Sequence, residues 1–381
     1  MRRPCYGDAM LIADPRAELA AMLRPAGGGL YVVSTGRAEQ LAVQRQLYGV
    51  ADEAAIQAAF LAALDRVATA KAVILGVPSD VGAGYRRGAS FGPQAIRGAL
   101  HAREPELRGW LDRHGVVDVG DVFVVPQLLD DAMLAPAQLA ASRAALYSGI
   151  APGLAATLPV SPLSIERRAL DCLYALNPKL VPVVLGGDHS VAWPVAAALA
   201  AHRPDRWGIV QPDAHTDLLA ERLGITYCFA TWSYHANELL GRDGRLVQVG
   251  VRASRHDRGH WEDGLGVRQF WAEEIRRAPE AALDAVLAHL HGLGVQSVYF
   301  SNDIDGTDEE WAMATGTPEA GGLEPDWVMA LVDRLGREIG FCAADCVEVA
   351  PPLGPTAAAT ETTVNLAARY VRACLDRIVA R

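Results

Sequence analysis

Three side chains that commonly bind metal ions occur within five residues, in the sequence DAHTD at positions 213–217. An apolar run at 207–210 precedes them and predicts a buried strand that ends there. Because side chains alternate along an extended chain, Asp213, His215 and Asp217 can face one point. Two carboxylates and an imidazole suit a borderline or hard divalent cation. Taken alone, the same residue types are also common at turns and helix starts.

Two further motifs follow apolar runs in the same way. His189 lies in GGDHS, and Asp303 and Asp305 lie in SNDID. Carboxylates held close together repel one another and lose ionisation unless a counter-charge is present. Two divalent cations ~3.5–4 Å apart would supply that charge and engage all six side chains. The alternative is a separate turn or cap role for each motif.

The elements that carry these motifs alternate between strand, polar loop and helix. This pattern predicts an α/β domain with a mainly parallel sheet, whose ligand site lies beyond the carboxyl ends of the strands. The predicted strands are residues 72–78, 116–125, 180–185, 207–210, 245–251, 295–300 and 340–344.

Residues 1–70 differ from the rest of the chain. They are rich in alanine, and residues 51–71 have apolar positions at helical spacing, which predicts an amphipathic helix. We expect an N-terminal extension over 1–70 and a catalytic domain over 71–381. The extension could cover the pocket of its own or an adjacent subunit.

Composition excludes several classes of partner. The chain has 381 residues, 51% of them hydrophobic, and a formal net charge of -10. It has no long basic stripe, so we expect no nucleic acid partner. No apolar stretch reaches the ~18 residues that suggest a membrane span. Six scattered cysteines are typical of a reducing compartment, which favours a cytoplasmic location.

GGDHS, DAHTD and SNDID, in this order, resemble the motifs of the arginase/agmatinase (ureohydrolase) family. The resemblance runs from about residue 72 to about residue 375 and includes GYRRGASFGPQAIR, ATGTPEAGGL and DCVEVAPP. It implies a three-layer αβα fold, a binuclear Mn²⁺ site and hydrolysis of a guanidino group to urea and an amine. It also implies a homo-oligomer, either a trimer or a hexamer.

The resemblance also assigns the ligands. One metal ion would bind His189, Asp213, Asp217 and Asp303. The other would bind Asp213, His215, Asp303 and Asp305, so that Asp213 and Asp303 bridge the two ions.

The implied chemistry agrees with the residue types. A guanidinium is a poor electrophile, and two cations lower the pKa of water enough to supply hydroxide near neutral pH. Asp305 can accept the proton of the attacking water and pass it to the leaving nitrogen. Glu348, in the DCVEV motif, matches the family's guanidinium-binding carboxylate, and Thr317 lies on a stretch that lines that pocket. The alternative for Glu348 is an ordinary ion-pair residue.

One stretch departs from the family pattern. Phe229 occupies the position where much of the family has a histidine for proton transfer or substrate contact. His235 could reach the site instead, or could be a surface or core histidine. Trp232 and Phe229 belong to an aromatic set that would form a narrow, apolar pocket, or a packed loop.

This departure bears on the substrate. No arginine-specific loop is identified, so a small guanidino compound is expected, with guanidine, giving urea and ammonia, ahead of agmatine and guanidinobutyrate. The long extension and SNDIDGTD resemble the guanidine-hydrolase branch, which makes Ni²⁺ an alternative to Mn²⁺. Two other hypotheses are a single-zinc deacetylase, which would not need both histidines, and a catalytically silent, metal-stabilised homologue.

Overall fold

The computed structural model describes residues 12–381. Residues 1–11, the start of the predicted extension, lie outside the described residues. The strands of the described range are β1 (Leu23–Arg24), β2 (Ala72–Val77), β3 (Val116–Val122), β4 (Val181–Gly186), β5 (Trp207–Pro212), β6 (Leu246–Val251), β7 (Arg268–Trp271), β8 (Ser297–Asp303) and β9 (Phe341–Val347).

The α-helices in the same range are α1 (Pro15–Met22), α2 (Ser34–Tyr48), α3 (Glu53–Asp65), α4 (Gly92–Arg103), α5 (Leu107–His114), α6 (Pro136–Leu146), α7 (Pro152–Ala155), α8 (Pro162–Leu176), α9 (Ala192–His202), α10 (Trp232–Leu240), α11 (Arg258–Leu265), α12 (Ala272–Arg277), α13 (Pro279–Gly292), α14 (Pro325–Glu338) and α15 (Ala357–Val379). Short 3-10 helices occur at Val67–Thr69, Ala89–Phe91, Asp131–Met133, His189–Val191, Ile304–Gly306 and Pro351–Leu353. Proline in the first turn begins several of the α-helices, for example Pro162 and Pro325, where its missing N–H group costs no hydrogen bond.

The strands form one sheet in the order β1-β3-β2-β4-β9-β8-β5-β6-β7. Strand β1 is antiparallel to β3, and the other neighbouring pairs are parallel. The mainly parallel sheet predicted from the alternating pattern is therefore confirmed. Its central strands β4, β9, β8 and β5 end at one edge.

Helices cover both faces of this sheet, because successive strand residues point to opposite sides. On β2, Val73 and Leu75 pack into the core that contains residues of α8 and α9. Ile74, between them, packs into the second core, with residues of α14 and α15. The predicted three-layer αβα fold is confirmed.

Two strands have no clear signal in the sequence. Strand β1 has two residues, and β7 contains a charged and a polar residue in a stretch of four. Both lie at the ends of the sheet, next to β3 and β6. There, backbone pairing with the neighbour forms the strand, and no periodic apolar pattern in the sequence indicates it. Short edge strands of this kind are defined by their neighbour's backbone.

Within residues 12–381, no single helix is long and apolar enough to cross a membrane. Two consecutive helical segments, Gly36–Tyr48 and Glu53–Thr69, meet the length and composition requirement when they are taken as a pair, but a bend of 55° separates them. The cysteines of the described range are buried and free: Cys172, Cys228, Cys342, Cys346 and Cys374.

Asp121 on β3 attaches part of the predicted extension to the sheet. Its Oδ2 atom accepts hydrogen bonds from the backbone N–H groups of Gly27, at 2.7 Å, and Gly29, at 3.3 Å. Its Oδ1 atom pairs with the buried guanidinium of Arg97, which also binds Asp118 through two nitrogens at 2.8 and 2.9 Å. Part of the predicted extension, residues 27–29, therefore binds directly to β3 of the predicted catalytic domain. The domain boundary at residue 70 stays a prediction.

We predict that Asp121→Ala lowers the free energy of unfolding by about 3–5 kcal/mol. The variant removes one of the carboxylates that neutralise the buried Arg97 guanidinium, and it leaves the backbone N–H groups of Gly27 and Gly29 without their acceptor. Chemical denaturation of the metal-free protein measures this loss. The matched control is Asp112→Ala, which removes an exposed ion pair with Arg66 and should cost at most about 1 kcal/mol. Equal losses in the two variants would contradict the prediction.

Candidate metal centre and active site

The predicted site residues lie at the carboxyl ends of the four central strands. His189 begins the short 3-10 helix after β4, and residues 213–217 follow Pro212, the last residue of β5. Asp303 is the last residue of β8, and Glu348 directly follows β9. Because neighbouring parallel strands end at one edge, the segments that follow them meet there.

His189 lies at the centre of the first group of candidate ligands. Its Nδ1 atom is 3.3 Å from Oδ2 of Asp213 and 3.3 Å from Oδ2 of Asp217. The third carboxylate, that of Asp303, has its Oδ2 atom at 3.1 Å. All four side chains are buried. The structure thus brings together the set assigned to one metal ion.

His215 lies at the centre of the second group. Its Nδ1 atom is 3.1 Å from Oδ2 of Asp305 and 3.6 Å from Oδ1 of Asp213. The His215 side chain is 28% exposed, so this group faces the open side of the cluster. The bridging role of Asp303 stays a prediction, since its Oδ1 atom accepts a hydrogen bond from the backbone N–H of Asp305 at 2.9 Å.

Asp213 connects the two groups, with Oδ2 directed toward His189 and Oδ1 toward His215. The backbone N–H of His215 donates to Oδ1 at 2.6 Å. The amide of Gln211, a residue that the sequence did not single out, donates to Oδ2 at 2.7 Å. Each oxygen therefore has one hydrogen bond and retains acceptor capacity toward one group.

Hydrogen bonds behind His189 define which ring nitrogen carries the proton. Ser301 donates its hydroxyl proton to Asp345 Oδ2 at 2.9 Å, while the Tyr299 hydroxyl and the Asn302 N–H donate to the same carboxylate. The Ser301 oxygen, 3.1 Å from His189 Nε2, is therefore available to accept a proton from that nitrogen.

In the neutral imidazole, Nδ1 of His189 then carries the lone pair, and this atom is buried without a hydrogen-bond partner in the described structure. A lone pair that faces three carboxylate oxygens is repulsive unless a cation lies between them. Second partners that orient a ligating imidazole in this way are a regular feature of metal sites. The donor set fits a divalent cation with oxygen and nitrogen preference.

Charge is crowded in this cluster. Burial, together with the negative charges of Asp305 and Asp213, raises the pKa of Asp303 well above its ordinary value. Burial and Asp213 also raise the pKa of Asp217 to about 6. Burial lowers the pKa of His189, but its contacts with three carboxylates outweigh burial, and its pKa is raised well above 6.5. The cluster thus favours added positive charge, whether protons or metal ions.

Trp232 lies behind the first group rather than on a pocket wall. Its side chain has no exposed surface, and its Nε1–H donates to Asp217 Oδ2 at 3.1 Å. The indole also packs on the His189 ring, with ring centroids 4.5 Å apart. The tryptophan thus supports a candidate ligand in this structure, and its predicted substrate contact stays a prediction. Asp217 has a left-handed backbone, with φ 52°, which is uncommon for residues other than glycine.

Glu348 and Thr317 border the cluster. Glu348 also has a left-handed backbone, with φ 61°, and its Oε1 atom accepts the backbone N–H of His189 at 2.9 Å. Its Oε2 atom lies 3.8 Å from where a Cβ atom on Gly316 would stand. Thr317 is exposed and donates to Asp305 Oδ2 at 3.1 Å. Burial, followed by nearby negative charge, raises the pKa of Glu348 well above its ordinary value, so a cationic partner would favour its ionised form.

Phe229 packs on the glycine-rich loop of residues 79–89, which also lies against Ser190. Its backbone N–H donates to the carbonyl of Gly82 at 3.2 Å, and its ring lies 3.6 Å from where a Cβ on Gly84 would stand. A Cβ on Gly82 would come within 2.5 Å of Ser190 Oγ. The loop thus joins Phe229 to the segment that begins with His189.

His235 is not brought into the cluster. Its Nε2 atom lies 3.0 Å from the carbonyl oxygen of Ala220 and 3.1 Å from that of Thr226. Its ring packs edge-on against Trp193 and Tyr227, and burial lowers the pKa of His235. Its recorded contacts within residues 12–381 therefore give the proposed proton-transfer role no geometric support.

Several supporting residues lie inside or beside the sequence motifs without having been assigned a role. Ser301 and Asp345 belong to SNDID and DCVEV, but only pairing between β8 and β9 places them together. Arg252 directly follows β6, and its guanidinium donates to the backbone carbonyls of Asp305, at 2.7 Å, and Glu319, at 2.8 Å. In the sequence, a charged residue after a strand is only a weak signal for such a supporting role. The partners of Arg252 lie more than fifty positions further along the chain.

Comparison with known proteins agrees with this geometry. The model of the arginase family matches residues 70–376. A guanidinobutyrase of Pseudomonas aeruginosa is 30% identical over 304 residues, covering 77% of this chain and 83% of the relative. An agmatinase of Bacillus subtilis is 30% identical over 332 residues, covering 85% of this chain and 97% of the relative.

A solved structure, the agmatine ureohydrolase of Thermoplasma volcanium, superposes with a TM-score of 0.59 at 25% identity. The superposition covers 82% of this chain and 90% of the other. The family match spans the whole sheet from β2 onward, including every strand end that carries a candidate ligand. This protein is therefore a hydrolase of the arginase family.

Proposed function

We propose that this protein is a binuclear metal-dependent ureohydrolase, which hydrolyses a guanidino C–N bond and releases urea. The observation that supports it most strongly is the unpartnered Nδ1 atom of His189, which faces three buried carboxylates across 3.1–3.3 Å. A purely structural cluster would be expected to satisfy such an atom. The two groups share Asp213, as a pair of adjacent ions would require.

His189, Asp213, Asp217 and Asp303 would hold one ion, and Asp213, His215, Asp303 and Asp305 the other. When bound, the ions would supply the positive charge that activates water near neutral pH. Mn²⁺ is the leading candidate, with Ni²⁺ as the alternative, since these oxygen and nitrogen donors accept both.

The chain's own residues would then position the substrate and move the proton. Glu348, partly buried beside Gly316, would pair with the guanidinium and hold its planar group at the cluster. Asp305 would accept the proton of the attacking water and return it to the leaving nitrogen. Thr317 orients the Asp305 carboxylate through its hydrogen bond at 3.1 Å.

Guanidine is the leading substrate, because it needs only a cation site and because Phe229 would narrow the entrance to that site. Guanidinobutyrate is an alternative that the charge beside Phe229 favours. Its carboxylate tail would pair with Arg222, whose guanidinium lies 5.0 Å from the Phe229 ring centroid. Arg222 would repel the amine of agmatine. The names of the two relatives support guanidinobutyrate and agmatine as alternatives.

Assembly into a homo-trimer or hexamer and a cytoplasmic location are also proposals. Both come from the family resemblance and the scattered cysteines rather than from a contact in the structure.

We predict urea release from guanidine when the metal-free protein is loaded with Mn²⁺ or Ni²⁺. The measurement is urea formation over a panel of guanidine, agmatine, arginine, guanidinobutyrate and guanidinopropionate with each metal. A preference for arginine would contradict the small-substrate proposal. Absence of urea from every pairing would instead support the silent, metal-stabilised homologue.

We predict that Asp213→Ala loses both metal ions and the activity, because one side chain serves both groups. Metal affinity should fall by more than about 100-fold, since even residues that only support ligands are worth 10–100-fold. Elemental analysis after dialysis against Mn²⁺ gives the metal content per chain. The control, Asp112→Ala, should keep the wild-type content; retention of both ions in Asp213→Ala would refute the shared-ligand assignment.

We predict that Phe229→Ala raises the ratio of kcat/KM for guanidinobutyrate over that for guanidine by about 10-fold or more, the usual scale for removing apolar bulk from a pocket. The control is Phe123→Ala, which removes an aromatic ring from the residue that directly follows β3. It should leave the ratio unchanged. A lower ratio in Phe229→Ala would show that the ring contacts the longer substrate instead of limiting it.

A further inference from the structure

Three buried glutamines lie side by side across β5, β6 and β7. Gln211 is in register with Gln248, and Gln248 is in register with Gln269. All three side chains have no exposed surface. Because a buried amide without partners is costly, three of them in adjacent positions require a continuous set of hydrogen bonds.

The amides form such a set, which we call the amide ladder: Trp271, Gln269, Gln248 and Gln211. The Trp271 indole N–H donates to Gln269 Oε1 at 3.0 Å, and the Gln269 amide donates to Gln248 Oε1 at 2.8 Å. Gln248 donates to Gln211 Oε1 at 2.9 Å. The last donor, Gln211 Nε2, reaches Asp213 Oδ2 at 2.7 Å.

Both ends of the ladder define its direction. The indole N–H can only donate, and an ionised carboxylate can only accept, so each amide must present its oxygen toward Trp271 and its nitrogen toward Asp213. Ser233 reinforces this orientation by donating its hydroxyl to Gln211 Oε1 at 2.5 Å. Reversing the Gln211 amide would place its oxygen against the carboxylate.

We propose that the amide ladder positions the Asp213 carboxylate for metal binding, with Gln211 as the positioning residue. This inference rests on the proposed metal centre. The Gln211 amide holds Oδ2, and the His215 backbone N–H holds Oδ1, so the carboxylate cannot rotate without losing a hydrogen bond. One oxygen therefore stays directed at each group of ligands. Trp271, two strands away on β7, maintains the orientation of the Gln211 amide that donates to Asp213.

A ladder that only joined neighbouring strands would have a different effect. It would change the stability of the metal-free protein but not its affinity for metal. The two roles are thus separated by measuring Mn²⁺ binding and thermal unfolding on the same variants.

The experiment is a calorimetric titration of metal-free protein with Mn²⁺ alone, in the wild type, Gln211→Met, Trp271→Phe and the double variant. We expect Gln211→Met to weaken Mn²⁺ binding about 10–100-fold and Trp271→Phe to cause a smaller loss. The double variant should match Gln211→Met within about twofold, because Trp271 acts through Gln211 and the two effects are then coupled.

Gln138→Met, an exposed glutamine on α6, is the matched control and should bind Mn²⁺ as the wild type does. Wild-type affinity in Gln211→Met, or independent losses that multiply in the double variant, would overturn the inference. If Gln211→Met does not fold, Trp271→Phe decides, since unchanged affinity in that variant overturns the role of the ladder. A wild-type protein that binds no Mn²⁺ would overturn the proposed metal centre itself, and the ladder's role with it.

Discussion

Repulsion among four carboxylates is the constraint on which the rest of the site depends. Asp213, Asp217, Asp303 and Asp305 are all buried at the ends of β5 and β8. In a low-dielectric interior such groups either take up protons or gather cations. The raised pKa values of Asp303 and His189 are two expressions of this one charge balance. Two divalent ions would satisfy it without protonating the candidate ligands.

The surrounding structure keeps these groups in place despite that repulsion. Behind His189, the Ser301–Asp345 pair orients the ring, and Trp232 holds Asp217. Backbone strain is also concentrated here, since Asp217 and Glu348 both have positive φ. Strain of this kind, of order 1–3 kcal/mol per residue, persists only where neighbouring contacts over-determine the conformation. The rigid parallel sheet supplies those contacts.

The arrangement explains how residues that are not candidate ligands contribute to the cluster. Arg252 binds the backbone of the segments that carry Asp305 and Glu319. The amide ladder crosses three strands before it reaches Asp213. These residues bind no substrate in the proposed mechanism, yet they form hydrogen bonds with the segments that carry Asp305 and with Asp213 itself. The site is therefore a property of the sheet and its loops together.

The sequence by itself determined the fold class, the central strands and the six candidate ligands, because apolar strand patterns and adjacent acidic motifs are local signals. Only the tertiary structure decided the shorter edge strands, the buried position of Trp232 and the loop contacts of His235. It also decided the partners of Gln211, Ser301 and Asp345. The physical reason is that spacing along the chain predicts which side chains share a face, whereas strand order, register and burial determine which distant groups are close enough to form hydrogen bonds.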